Sequence, residues 1–395
     1  MDARGGETAR VRRAVWRDVA LVWGLSRACW FVAGALGHAF LASADFVGAY
    51  RPPHGALSYW AHWDGAWYLH IAGHGYDSVS TTEFFPAYPL ATRGVTAAGM
   101  TPAVAGLLVS NAAAFAALFF VYRLAEHWFD RRAARGATIA LAFFPSAFFL
   151  SAVYSESLFL ALSGGALWAL YVRRDLLLAG AFGYLAAVTR NVGVLLVVPI
   201  AYEYMRCRRQ IRREAVLGVV LPVAGLAAYC LYLWRVANQP LLFSEAAKRT
   251  WGRSLTNPLV SIQHGWDRVG NGWGYLFHPG RVFGTASANP PFLLADTLNV
   301  VFLVLVGALL VLGLRQLPRS ATVYSVAVAA APLVVGSPDV ALTSYGRYSL
   351  AAIPLFAVLG RLLTRSNTAI AAWVLGSAVL GVYFTLEFVT SRWVA

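Results

Sequence analysis

Between Thr101 and Arg123 the chain reads TPAVAGLLVSNAAAFAALFFVYR, with no charged side chain before its closing arginine. A helix rises about 1.5 Å per residue and a bilayer core is about 30 Å thick, so about 20 apolar residues make one crossing. This run is a transmembrane helix by both length and composition. Stretches on the same scale lie at 18–43, 101–123, 137–152, 157–172, 176–189, 191–205, 215–235, 292–313, 320–336, 347–363 and 367–386. The whole chain agrees: 59% of its 395 residues are hydrophobic and 13% charged, where a soluble domain carries about 25% charged. Mean hydropathy is +0.59. The expectation is an all-α polytopic membrane protein of about eleven transmembrane helices, forming one domain over 1–395.

The formal charge of +14 raises the question of nucleic acid. The basic residues answer it, because they sit in short clusters between apolar runs, as cytoplasmic loops of membrane proteins do. The clusters are Arg10, Arg12, Arg13 and Arg17, then Arg131, Arg132 and Arg135, then Arg173 and Arg174. Arg206, Arg208, Arg209, Arg212 and Arg213 follow, then Arg315 with Arg319 and Arg361 with Arg365. Threading the spans in order puts every cluster on one side, which places the N-terminus in the cytoplasm. No nucleic-acid partner is expected. Lys248 is the one lysine, and this bias to arginine suits a GC-rich bacterial genome. Cys29, Cys207 and Cys230 have no disulfide or metal spacing. Ala42-Ser43-Ala44 fits a signal-peptidase site, but the apolar run before it is far longer than a signal peptide's, so an uncleaved first helix is expected.

Two outward loops are long, 44–100 and 236–291, and both are rich in Trp, Tyr, His, Gly and Pro. Aromatic-rich loops are poor candidates for disorder, and amphipathic segments at the outer membrane surface are expected. The first loop runs His62-Trp63-Asp64-Gly65-Ala66-Trp67-Tyr68 and continues through His70, His74 and Tyr76 to Phe84-Phe85-Pro86-Ala87-Tyr88-Pro89. An acid set among tryptophans gains basicity, which suits it to taking a proton. Asp64 also stands where a helix cap would. His70 and His74 are spaced as metal ligands on one helical face, but no third ligand follows, and local hydrogen bonding is the plainer reading. Asp77 and Glu83 are weaker acid candidates.

Farther along, Glu156 in Tyr154-Ser155-Glu156, Arg190 before Asn191, and Arg347 between Gly346 and Tyr348 all fall at outer ends of spans. Ionisable groups there are functional or paired. Either the arginines hold a lipid phosphate, which a planar guanidinium fits, or Glu156 pairs with arginine and merely ties hairpins together.

At these residues the sequence resembles the PIG-V family, the second mannosyltransferases of GPI-anchor assembly and their bacterial relatives. The resemblance rests on His62-Trp63-Asp64-Gly65 through Gly75-Tyr76, on Phe84-Phe85-Pro86-Ala87-Tyr88-Pro89, and on Ala152 through Phe159. Thr189-Arg190-Asn191 and Gly346-Arg347-Tyr348 extend it in order along most of the chain. It implies a GT-C glycosyltransferase fold, a polyprenyl-phosphate-sugar donor, an extracytoplasmic site, and an acid of the first outward loop as catalytic base, the position of Asp64. The substrate-binding residues expected are Trp63, Trp67, Tyr68, His70, Tyr76, Phe85 and Tyr88 in the first loop. Tyr154, Glu156, Arg190, Asn191, Tyr345 and Arg347 complete the set. Direct displacement with one carboxylate inverts the anomeric centre, and the expected partners are the donor, a lipid or glycan acceptor, and membrane lipids. No cofactor is required by this chemistry, and no acidic metal pair stands in the sequence. The competing class, a flippase or transporter, predicts repeated halves and midplane polar groups; the sequence has neither.

Overall fold

The computed structural model describes residues 3–45, 49–52, 54–207, 213–284, 290–336, 342 and 344–394. A long first helix, α1 (Ala3–Phe40), leads into the first loop, which folds as α2 (Asp64–His74) and α3 (Ala87–Thr96). Then come α4 (Pro102–Trp128), α5 (Arg131–Ala142), α6 (Glu156–Trp168), α7 (Leu176–Ala187), α8 (Val197–Cys207) and α9 (Val216–Ala237). The second loop carries α10 (Leu242–Trp251), α11 (Pro258–Arg268), α12 (Trp273–Leu276) and α13 (Gly280–Phe283). The rest is α14 (Pro290–Gly313), α15 (Arg319–Val334), α16 (Tyr345–Tyr348), α17 (Ile353–Leu363) and α18 (Asn367–Val389). Two short strands, β1 (Ser254–Leu255) and β2 (Val335–Gly336), pair antiparallel and fasten the second loop to the end of α15.

The chain is a mostly helical, multi-pass membrane protein. All eleven expected stretches fall on helix, but not as eleven straight crossings. Among the described residues five helices are long and apolar enough to cross alone: Arg13–Phe40, Pro102–Trp128, Val216–Ala237, Leu294–Gly313 and Asn367–Val389. A sixth is the pair Tyr345–Ala351 and Ile353–Leu363, bent by 91°. Proline accounts for part of the breakage, because it lacks the N–H that continues a helix and forces its predecessor out of helical geometry. Thus Phe144 is extended (φ −57°, ψ 143°) and Pro145–Leu150 is a 3-10 turn, splitting the stretch expected at 137–152. The stretch at 191–205 begins as a 3-10 turn before α8, and α6 ends in a π-helical turn, Ala169–Arg173.

Packing relies on small residues, as expected where lipid removes the hydrophobic drive between helices. A side chain at Gly360 of α17 would lie 2.1 Å from the Ala137 nitrogen of α5, and one at Gly180 of α7 would lie 2.3 Å from the Gly218 oxygen of α9. At one end of the bundle the arginine clusters gather: Arg135 pairs with Asp18 at 2.6 Å, and Arg361 reaches Gln316 and lies over Phe129. Arg208, Arg209 and Arg212 lie outside the described residues. Helix α6 opens at Glu156, and its π turn closes at Arg173. The acid therefore lies about 25 Å from that arginine along the helix axis.

Candidate active site

Asp64 is the first residue of α2, and the residue before it is held in an unusual backbone. Trp63 has φ 55° and ψ −120°, a conformation L-residues avoid, and such strain costs about 1–3 kcal/mol unless the surroundings hold it. Here they do. The Trp63 indole donates to the Arg392 carbonyl at 3.1 Å and meets the Trp393 ring edge-on, while Ser391 hydrogen-bonds His62 at 3.0 Å. The Tyr154 hydroxyl donates to the His62 carbonyl and accepts from the Asp64 N–H, each at 3.2 Å. The N-cap position of α2 falls on Trp63, with Asp64 one residue inside the helix, so Asp64 does not hold the capping position the sequence offered it. Its carboxylate instead turns to Arg347, with Oδ2 2.6 Å from Nη2.

Arg347 is shared. Its Nε lies 2.5 Å from Glu156 Oε1, and the same oxygen takes Arg190 Nη1 at 2.5 Å. Arg190 also donates to Ser155, whose hydroxyl bonds that of Tyr68 at 2.7 Å. The Arg347 guanidinium lies over the rings of Tyr154 and Phe149, at 4.7 and 5.1 Å. The four ionisable residues singled out at span ends therefore form one network. The tie between Glu156 and the two arginines is also real. Exposure separates the two acids: 12% of the Asp64 side chain is accessible against 4% of Glu156, so Asp64 is the more accessible of the pair.

A further ion pair borders the network. Arg253, just beyond α10, lies 3.7 Å from Glu83 and over the ring of Tyr348, which Arg190 also faces. Burial pushes the Glu83 carboxyl up to about 7; Arg253 pulls it the other way without cancelling the effect. Burial lowers His62 to about 4, so its imidazole is neutral and not a cation for an anionic ligand. Among the described residues no three His, Cys, Asp or Glu side chains are grouped to hold a metal ion.

The other expected residues separate. Tyr68 and Tyr154 lie in the network. Trp67 stacks on Phe84 at 5.4 Å, and Tyr345 is buried beside Arg347 in α16. Tyr88 is fully buried, its hydroxyl bonded to the Gly106 carbonyl and to Ser110. Phe85 and Tyr76 pack with Tyr229 in a separate apolar cluster. Asn191 is exposed and bonds its neighbour's N–H. His70 pairs with Asp77 at 2.7 Å and stacks between Tyr50 and His74, so the two histidines form a ring stack. Sequence reasoning missed Arg253, Tyr348 and the 391–394 segment. No sequence signal singled out Arg253, since the same loop also holds Lys248, Arg249, Arg268 and Arg281.

Comparison with known proteins bears on this arrangement. Residues 32–210 match the family model described as Mannosyltransferase (PIG-V). That stretch holds Asp64, Glu83, Glu156 and Arg190, while Arg253 and Arg347 lie beyond it. The chain is 34% identical over 115 residues to GPI mannosyltransferase 2 of Drosophila pseudoobscura pseudoobscura, covering 26% of this chain and 25% of that one. To GPI mannosyltransferase 2 of Drosophila melanogaster it is 31% identical over 109 residues, covering 25% and 24%. The alignments thus span about a quarter of the length of those relatives. Among solved structures, ArnT from Cupriavidus metallidurans bound to undecaprenyl phosphate superposes with a TM-score of 0.44 at 16% identity, covering 94% of this chain and 77% of that one. The Archaeoglobus fulgidus oligosaccharyltransferase AglB, in complex with an inhibitory peptide and a dolichol-phosphate, gives 0.42 at 14%, covering 93% and 56%.

Proposed function

We propose that this protein is an inverting glycosyltransferase of GT-C type. It moves mannose, or another hexose, from a polyprenyl-phosphate sugar to a hydroxyl of a lipid- or glycan-linked acceptor. The observation that carries the reading is Asp64, the more accessible carboxylate, on a strained turn inside the PIG-V stretch, set against arginines at one end of a membrane bundle. In the reaction the acceptor oxygen attacks the anomeric carbon while the bond from that carbon to the phosphate oxygen breaks. Asp64 takes the hydroxyl proton, and the electron pair leaves with the polyprenyl phosphate. Guanidinium groups stabilise the charge that develops on that phosphate. Trp63, half-buried beside Asp64, offers a ring against which a sugar or an isoprenoid packs.

The membrane placement belongs to the same reading. Eleven crossings, several broken or tilted, put the arginine clusters in the cytoplasm and the acid–arginine network on the outer face of the plasma membrane. Purified protein in lipid nanodiscs, given polyprenyl-phosphate mannose, should transfer the mannose or hydrolyse the donor. Complete inertness toward that donor, in protein that is folded by thermal melting, would refute the proposal.

A further inference from the structure

We propose that Arg253 is the side chain that receives the donor phosphate, and that Glu83 is the carboxylate it leaves in doing so. The inference rests on the polyprenyl-phosphate reading above and concerns which cation serves it. Three arginines reach the site, and two are already engaged. Arg347 has carboxylate oxygens at 2.6 and 2.5 Å, and Arg190 has one at 2.5 Å plus the Ser155 hydroxyl at 3.2 Å. Contacts of that length between ions are the strong kind, and an entering anion would have to break one. Arg253 differs. Its carboxylate partner is 3.7 Å away, beyond hydrogen-bond reach. It is also the most exposed of the three, at 20% against 16% and 6%.

The partner is itself a weak competitor. Glu83 Oε2 is buried with no hydrogen-bond partner, and burial raises the carboxyl to about 7. The groups acting on it are Arg253, Asp64, Trp251 and Arg347. Near neutral pH the carboxyl is therefore about half protonated, and Arg253 is then a cation lacking a full countercharge.

Arg253 is also held in place from both sides. Gly252, with φ 65°, ends α10, and β1 begins at Ser254 on its pairing with Gly336. Trp251 packs on Trp393, the same ring that meets Trp63 beside Asp64. The arginine thus stands at a fixed place next to the more accessible acid, with the Tyr348 ring between it and Arg190. Phosphate enters as a new partner for Arg253, and Glu83 is released to solvent or to its protonated form.

The test uses the full chain in nanodiscs with polyprenyl monophosphate as probe and inorganic phosphate as the comparison arm, read by calorimetry. Arg253→Gln should weaken binding of the lipid about tenfold or more, the loss of one charge-assisted contact. Glu83→Gln, which frees the arginine, should leave binding unchanged or tighter. Lipid binding unaffected by Arg253→Gln overturns the inference, as does equal weakening by Glu83→Gln, which would make the pair a structural tie. Should Arg253→Gln fail to fold, the Glu83→Gln result decides alone. If the wild type binds no polyprenyl monophosphate, the donor reading itself is at fault. If it binds inorganic phosphate as tightly as the lipid, Arg253 serves a free anion and the assignment to the donor falls.

Discussion

Replacing Asp64 with Asn keeps the shape of the side chain and removes its ability to take a proton. The structure lets the two consequences be separated. Asp64 shares Arg347 with Glu156, whose oxygen stays 2.5 Å from Arg347 Nε in the variant, so the guanidinium keeps an anionic partner. Helix α2 loses no cap, because its N-cap residue is Trp63 and not Asp64. The stability at stake is one of Arg347's two ion pairs, and because Glu156 stays in place it should fall below the about 3–5 kcal/mol of breaking a buried pair outright. The catalytic loss is larger: a general base contributes about 10²–10⁴ in rate, or about 3–5 kcal/mol at 1.36 kcal/mol per decade. Asp64→Ala should lose the same turnover and more stability. The assay is single-turnover transfer from saturating polyprenyl-phosphate mannose, beside thermal unfolding of the same samples. An Asn variant within about tenfold of wild-type turnover would refute the reasoning, and the proton acceptor would have to be sought elsewhere in the site, with Glu83 first.

Glu156→Gln leaves two buried guanidinium groups short of charge, and the cost of breaking a buried pair is about 3–5 kcal/mol; a clear drop in melting temperature should show it, and an unchanged melt would contradict it. Arg347→Lys keeps the charge but cannot place one fork on both Asp64 and Glu156, so turnover should fall well below wild type while the protein still folds. Glu83 binds its proton more tightly folded, at about 7, than at the ordinary 4.5. Its contribution to stability is therefore full below about 4.5 and fades as pH rises to about 7, and Glu83→Gln should abolish that decline in pH-dependent melts. In a cysteine-free background, cysteines at His54 and Lys248 should react with impermeant reagents from outside intact cells, and cysteines at Arg132 and Arg365 only after lysis; the reverse pattern would invert the proposed topology.

Much of this was legible in the sequence, for identifiable reasons. Apolar length marks helices, and alternation of arginine clusters marks sides, so Asp64, Glu156, Arg190 and Arg347 could be placed at span ends and hence near one another. Pro145 announces the break after α5, and Pro354, in the first turn of α17, marks the 91° bend ahead of it, although neither proline fixes the angle. Aromatic identity does not reveal which way a ring faces. Tyr88 and Phe85 sit in a motif rich in candidate platforms, yet one is sealed in the core and the other in an apolar cluster. The Glu83–Arg253 pair was hidden because a loop as long as 236–291 leaves its path undetermined. The bond from Trp63 to Arg392 joins residues 329 apart in sequence, a closure that local pattern does not encode.

The sharing of Arg347 has a consequence for how the protein is made. Synthesis and insertion run from the N-terminus, so Asp64, Glu156 and Arg190 enter the membrane well before Arg347 is translated. During that interval Asp64, Glu83 and Glu156 face only Arg190 and Arg253, so the half-built bundle is short of one cation at its outer end. Arrival of α16 ends the mismatch. The last third of the chain thus supplies, in Arg347, the group that joins the two acids of the site.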